Sequence, residues 1–207
     1  MRISKKLAYK LLTFFVAVPF LILNIMVVQE VPAARMGIND IRNGTVMPPS
    51  NVLNAIRNIC RNCELVTLND LVEEAREEFL GLHPNANPGW ITGDFNGDGL
   101  IDYAVLLYSK GKGKIYTRLI VLLATRDKTF TVKALVKSYE GGSYWYIALM
   151  KAGSIIKHTK AFAPPKNVPK EVLLKYPAIK YYKTGSFMNV FYFEASKGVF
   201  IEIPVSY

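Results

Sequence analysis

Asp94-Phe95-Asn96-Gly97-Asp98-Gly99-Leu100-Ile101-Asp102 places oxygen-bearing side chains at the first, third, fifth and ninth of nine positions. Calcium takes about six to eight oxygen ligands, and a chain supplies them only by wrapping tightly round the ion. Alternate residues then point inward, and a glycine is needed where the backbone reverses. Gly99 stands at that sixth position, and the Leu100 carbonyl at the seventh is the expected backbone ligand. Leu100 and Ile101 are expected to turn their side chains into the core. All-oxygen donors favour calcium over zinc or copper. The expected ligand set is therefore Asp94, Asn96, Asp98, Leu100 and Asp102, with Ca2+ as the cofactor. The competing reading is an Asn-Gly-Asp-Gly turn without an ion, since these residues favour turns in any case. That reading leaves Asp94 and Asp102 without a role, and three clustered carboxylates repel one another without a counter-ion.

The run begins like an EF-hand loop but departs from it at the twelfth position. Val105 stands where the bidentate Glu belongs, and the segment after Asp102 has strand character rather than helical character. The nine residues resemble instead the D-x-[DN]-x-D-G-x-x-D loops of FG-GAP and VCBS-type repeats, found in integrin heads and many exported bacterial proteins. Every ligand position matches, and Asp102-Tyr103-Ala104-Val105 runs on into a strand as those repeats do. The resemblance covers residues 90–109. Those families carry several copies as propeller blades. One copy here implies a local calcium clamp in a small exported protein.

Other chemistry-bearing residues are few. Cys60 and Cys63 form C-x-x-C between two helical segments, which suits a structural disulfide or a helical thiol pair better than a thioredoxin-type site. The histidines are His83 and His158, far from both cysteines and from any nucleophile motif. Lys110-Gly111-Lys112-Gly113-Lys114 lacks the spacing of a phosphate loop and reads as a solvated turn. No catalytic residue is assigned.

These residues need elements to position them. Residues 1–33 carry Arg2, Lys5, Lys6 and Lys10, an apolar run over 11–28, and Val31-Pro32-Ala33-Ala34. That is the layout of a secretory signal, with an uncleaved membrane anchor as the alternative. The formal net charge of +10 falls to +7 without this segment, which holds four positive charges and one negative. Residues 34–88 read as a helical preface. One helix starts near Ser50 with Val52, Leu53, Ile56 and Ile59 on one side; the other is capped by Thr67 and stopped by Gly81, with Leu68, Leu71, Val72, Ala75 and Phe79 at helical spacing. Residues 89–207 read as the β domain that carries the loop. Its expected strands are 90–93, 102–109, 115–125, 129–138, 143–150, 178–184, 188–194 and 199–205, with a short helix at 170–175. The second of the longer strands is apolar on both faces, as a central strand should be. The expected fold class is α+β: N-terminal helices packed on an antiparallel meander sheet of six to eight strands.

The composition, 51% hydrophobic with two cysteines, fits a chain that builds a core without a disulfide framework. The expected function is that of an exported, calcium-binding, non-enzymatic structural or binding protein of the cell envelope, periplasmic or extracellular. The alternatives are a basic module for anionic polysaccharide or membrane surface, and an envelope enzyme with an unrecognised site. The sequence names no partner; the candidates are an envelope polysaccharide or another protein, and nucleic acid is not expected.

Overall fold

The computed structural model describes residues 47–111, 114–140, 142–157 and 169–205. The expected signal or anchor at 1–33, His158 and the centre of the Lys110–Lys114 turn lie outside the described residues. Among the described residues, no helix is long and apolar enough to cross a membrane.

The architecture corrects the α+β expectation. Among the described residues the structure is mostly β, with 49% in strands against 18% helical, and the strands form three antiparallel sheets rather than one meander. The described α-helices are α1 (Ser50–Ile59) and α2 (Glu73–Leu82). The first sheet contains β1 (Glu64–Leu65), β2 (Trp90–Gly93), β3 (Asp102–Gly111), β4 (Lys114–Ala124) and β5 (Phe130–Glu140). Its strand order is β1-β3-β4-β5, with β2 pairing β3 beside β1. The second sheet contains β6 (Trp145–Met150), β9 (Ala178–Lys183), β10 (Phe187–Glu194) and β11 (Val199–Val205), in the order β11-β10-β9-β6. β7 (Ile155–Lys157) pairs β8 (Glu171–Leu173) in a two-stranded ribbon. Strand β8 replaces the helix expected at 170–175, because pairing with β7 satisfies its backbone.

The reason for several sheets lies in β3 and β4. Each is apolar on both faces, so the first sheet must be covered twice. On one face, Val105, Leu107, Ile120 and Leu122 pack with Val52 and Ile56 of α1. On the other, Ala104, Leu106, Leu119 and Val121 share a core with Trp145, Ile147, Ile179 and Tyr181 of the second sheet. Two ten-residue helices could not supply both covers. Trp145 stacks on Tyr181 with centroids 4.2 Å apart, and the Tyr181 hydroxyl lies 3.2 Å from Thr117 Oγ1 of the first sheet. This bond satisfies two polar groups buried between the layers.

Helix α2 packs on Tyr146 of β6 through Phe79, edge to face at 5.2 Å. The helix expected to run unbroken from Thr67 is interrupted. Thr67 and Asp70 form the expected capping box, with Thr67 N donating to Asp70 Oδ2 at 2.8 Å, but only one 3-10 turn follows (Leu68–Asp70). Leu71 and Val72 are extended, and Val72 N donates to the Ser143 carbonyl at 3.0 Å, so the helix restarts at Glu73. Glu73, Glu74 and Glu77 face solvent as expected, while Glu78 accepts the Tyr146 hydroxyl at 2.5 Å.

His83 closes α2, and its ring lies against Phe79, Tyr146 and Tyr182. Burial, and then the nearby Lys180 ammonium, hold its pKa below the ordinary 6.5. The fold thus favours neutral His83. The stability this group contributes is present above about pH 6.5 and is lost as pH falls through its lowered folded value.

Phe79→Ala should lower unfolding free energy by about 3–5 kcal/mol in urea denaturation, as a buried aromatic truncation does; a change below 1 kcal/mol would contradict its central place. On going from pH 7.5 to 5, the urea midpoint of the wild type should fall further than that of His83→Phe. Equal changes would show that His83 does not carry this pH dependence.

Candidate metal loop

Strands β2 and β3 form a hairpin whose last pair is Gly93 opposite Asp102. The loop at 94–101 is wound by its own acidic side chains. Asp94 Oδ1 accepts from Gly97 N at 2.7 Å and Asp98 N at 3.1 Å, and Asp94 Oδ2 accepts from Gly99 N at 2.9 Å. Asn96 Oδ1 accepts from Asp98 N at 3.1 Å, and Asn96 Nδ2 donates to Asp98 Oδ2 at 2.8 Å. Asp98 Oδ1 accepts from Leu100 N at 2.8 Å. Gly97 and Gly99 both have left-handed backbone, at φ +78° and +84°, which lets so many N–H groups turn toward one carboxylate.

Gly97 and Gly99 are constrained differently. A Cβ on Gly97 would stand 2.0 Å from the Tyr176 ring, whereas one on Gly99 meets nothing within 4 Å. The loop is therefore pressed against the segment between β8 and β9.

The anchor of the loop is not the expected one. Ile101 is 62% exposed and Leu100 is half-buried, so they do not root the loop in the core. Phe95 does, with no exposed surface, beneath Gly93. The alternation that points Asp94 and Asn96 outward sends Phe95 inward.

Asp102 departs most from the expected ligand set. Its side chain is fully buried, its Oδ2 accepts from Phe95 N at 2.9 Å and its Oδ1 from Ala124 N at 2.8 Å. Both oxygens are engaged by backbone of the protein. Asp102 ties the loop entry and the end of β4 to the start of β3. Its pKa is raised to about 6, chiefly by burial; the two N–H donors oppose this, and the Asp98 and Asp94 charges add to it.

Asp94 also accepts backbone N–H groups on both oxygens, but unlike Asp102 it keeps solvent-facing surface. By chemical type, the donors that fit a hard cation from the solvent side are the Asp94 and Asp98 carboxylates, the Asn96 amide oxygen and the Leu100 carbonyl. With Asp102 turned inward, two loop carboxylates remain. Accordingly, no group of three or more His, Cys, Asp or Glu side chains disposed to hold a metal occurs among the described residues. Nor does any described Lys or Arg form an ion pair with Asp94 or Asp98.

Elsewhere, Cys60 and Cys63 form a disulfide just after α1, with Cα atoms 5.4 Å apart. A cavity of about 190 Å3 beside β3 is lined by Asp70, Tyr108, Lys110 and Ser143. The Tyr108 hydroxyl donates to Glu64 across the β1–β3 pair.

Sequence reasoning missed Phe95, Tyr176 and the inward role of Asp102. Phe95 was readable as the one aromatic residue between acidic positions. The Gly97–Tyr176 contact and the Asp102–Ala124 bond join distant segments, so no local pattern announces them.

Asp102→Ala should lower stability by about 2–4 kcal/mol in chemical denaturation, because two N–H donors lose their acceptor. Gly97→Ala should destabilise clearly more than Gly99→Ala, since both pay for the left-handed backbone but only Gly97 also meets a ring; equal losses would contradict the packing on Tyr176. Comparison of the chain with family models, characterised proteins and solved structures returns no match, so the reading of the site rests on its own residues.

Proposed function

We propose that this chain is an exported, non-enzymatic protein of the cell envelope whose 94–102 loop takes a calcium ion as a structural clamp. The observation that carries this reading is the Asp94 carboxylate gathering three backbone N–H groups of its own loop, which bends Asn96 and Asp98 together on an exposed surface. Asp94, Asn96, Asp98 and the Leu100 carbonyl would hold the ion, and Asp102 keeps the loop in register from beneath. The ion supplies positive charge where two carboxylates stand without a described cation.

Two carboxylates make a weak site. Affinity in calcium loops rises with ligand charge, and extracellular modules work at about 10⁻⁴–10⁻³ M. Export is consistent with such a site, because free calcium outside cells is high enough to fill it. The Cys60–Cys63 disulfide suits the same oxidising compartments. The basic front and apolar run of residues 1–33 supply the export signal in this reading.

The test is thermal. Calcium at ten times its Kd should stabilise the fold by about 1.4 kcal/mol, enough to raise Tm by several degrees. Magnesium at the same concentration should do less, and Asp98→Ala should abolish the rise. An unchanged Tm at 10 mM calcium would sink the reading.

A further inference from the structure

Between α1 and the start of β5 lies an open, shallow groove of about 430 Å3. It shares no residue with the 94–102 loop. One wall is a stripe of three amides, Asn51, Asn54 and Asn58, spaced three and four residues apart on α1. The opposite stripe of that helix, Val52 and Ile56, is buried on the first sheet, so the amides are held outward by packing beneath them. The other wall is the β4–β5 turn and the first residues of β5, including Lys128, Phe130 and Val132.

Both walls are built to stay in place. Phe130 packs edge to face on Tyr103 at 6.0 Å, and Val132 is 42% exposed beside it. In the turn, Lys128 N donates to the Thr125 carbonyl at 2.9 Å, and Thr129 Oγ1 donates to Asp127 at 2.9 Å. Lys128 has left-handed backbone at φ +64°. On the facing wall, the amides of Asn51 and Asn58 make no side-chain hydrogen bond among the described residues, and Asn54 Oδ1 accepts one 3.3 Å bond from Arg57.

The lining selects a ligand by its chemistry. No carboxylate faces the cleft, so a metal or an amine finds no counter-charge there. Lys128 is the one cation in the lining, too little charge to hold a polyanion. What remains is neutral: amides that each donate and accept, beside an apolar strip with an aromatic ring. Sugar hydroxyls also donate and accept, and sugar C–H faces are apolar. An extended peptide could use the amides too, but it would need pockets for side chains, and the strip is shallow. We propose that this cleft binds a neutral saccharide, with Asn51, Asn54 and Asn58 taking hydroxyls and Phe130 and Val132 taking a C–H face.

Saturation-transfer NMR on the full chain tests this, with cellobiose, maltose and N,N′-diacetylchitobiose as probes and tetra-alanine as the peptide control. The expected result is transfer to ring C–H protons of at least one disaccharide, with a Kd that weakens at least fivefold in Asn54→Ala and in Asn58→Ala. These exposed substitutions should leave Tm unchanged. Binding should persist in EDTA, which separates this site from the calcium loop. No transfer to any of the three disaccharides, transfer unaffected by both asparagine variants, or binding of tetra-alanine in their place would each overturn the proposal.

Discussion

A sheet whose central strands are apolar on both faces has to be covered twice, and most of this molecule follows from that constraint. β3 and β4 place Val105, Leu107, Ile120 and Leu122 on one side and Ala104, Leu106, Leu119 and Val121 on the other. The second sheet is broad enough to cover the latter face. Helix α1, with ten residues, packs over those four but does not reach across to the start of β5. Where it stops short, Phe130 and Val132 remain accessible beside its asparagine stripe, and a cleft results. Cleft and core are thus two outcomes of the same shortage of cover.

The same sheet explains how the acidic loop is held. A long loop between two strands loses its register unless something at its base fixes it. Asp102 does so with one carboxylate, by accepting from Phe95 N before the turn and Ala124 N on the neighbouring strand. Its burial is electrostatically unfavourable, and the raised pKa records that. The two N–H donors offset the penalty and keep the carboxylate where it is. Phe95 adds apolar burial at the same point. The half-buried Asp94 and Asn96 and the exposed Asp98 then form a curled, oxygen-rich surface on a rigid base.

Local patterns were legible in the sequence, and long-range consequences were not. The capping box at Thr67 and Asp70, the strand from Trp90 to Gly93, the two-faced β4 and the three C-terminal strands can be read from residue type and alternation alone. The division into sheets cannot, because the alternation in β6, β9 and β10 says which faces are apolar but not which sheet they join. β1, β7 and β8 are not legible in the sequence, because two or three residues carry no usable period. In the acidic loop, spacing identified the oxygen donors and the glycines. It did not separate Asp102 from the rest, since a carboxylate turned toward backbone N–H groups and one turned toward a cation have the same sequence. The cleft was hidden for a different reason: asparagines on a helix read as a solvated face until the strand opposite them is known.

The loop is proposed to take one calcium ion through Asp94, Asn96, Asp98 and the Leu100 carbonyl, while Asp102 serves the backbone. Equilibrium dialysis against radioactive calcium tests it most directly. The expected result is one ion per chain, with a Kd of about 10⁻⁴–10⁻³ M, weakened at least tenfold in Asp94→Asn. Binding of no calcium at 5 mM, or of calcium with unchanged affinity in Asp94→Asn, would contradict it.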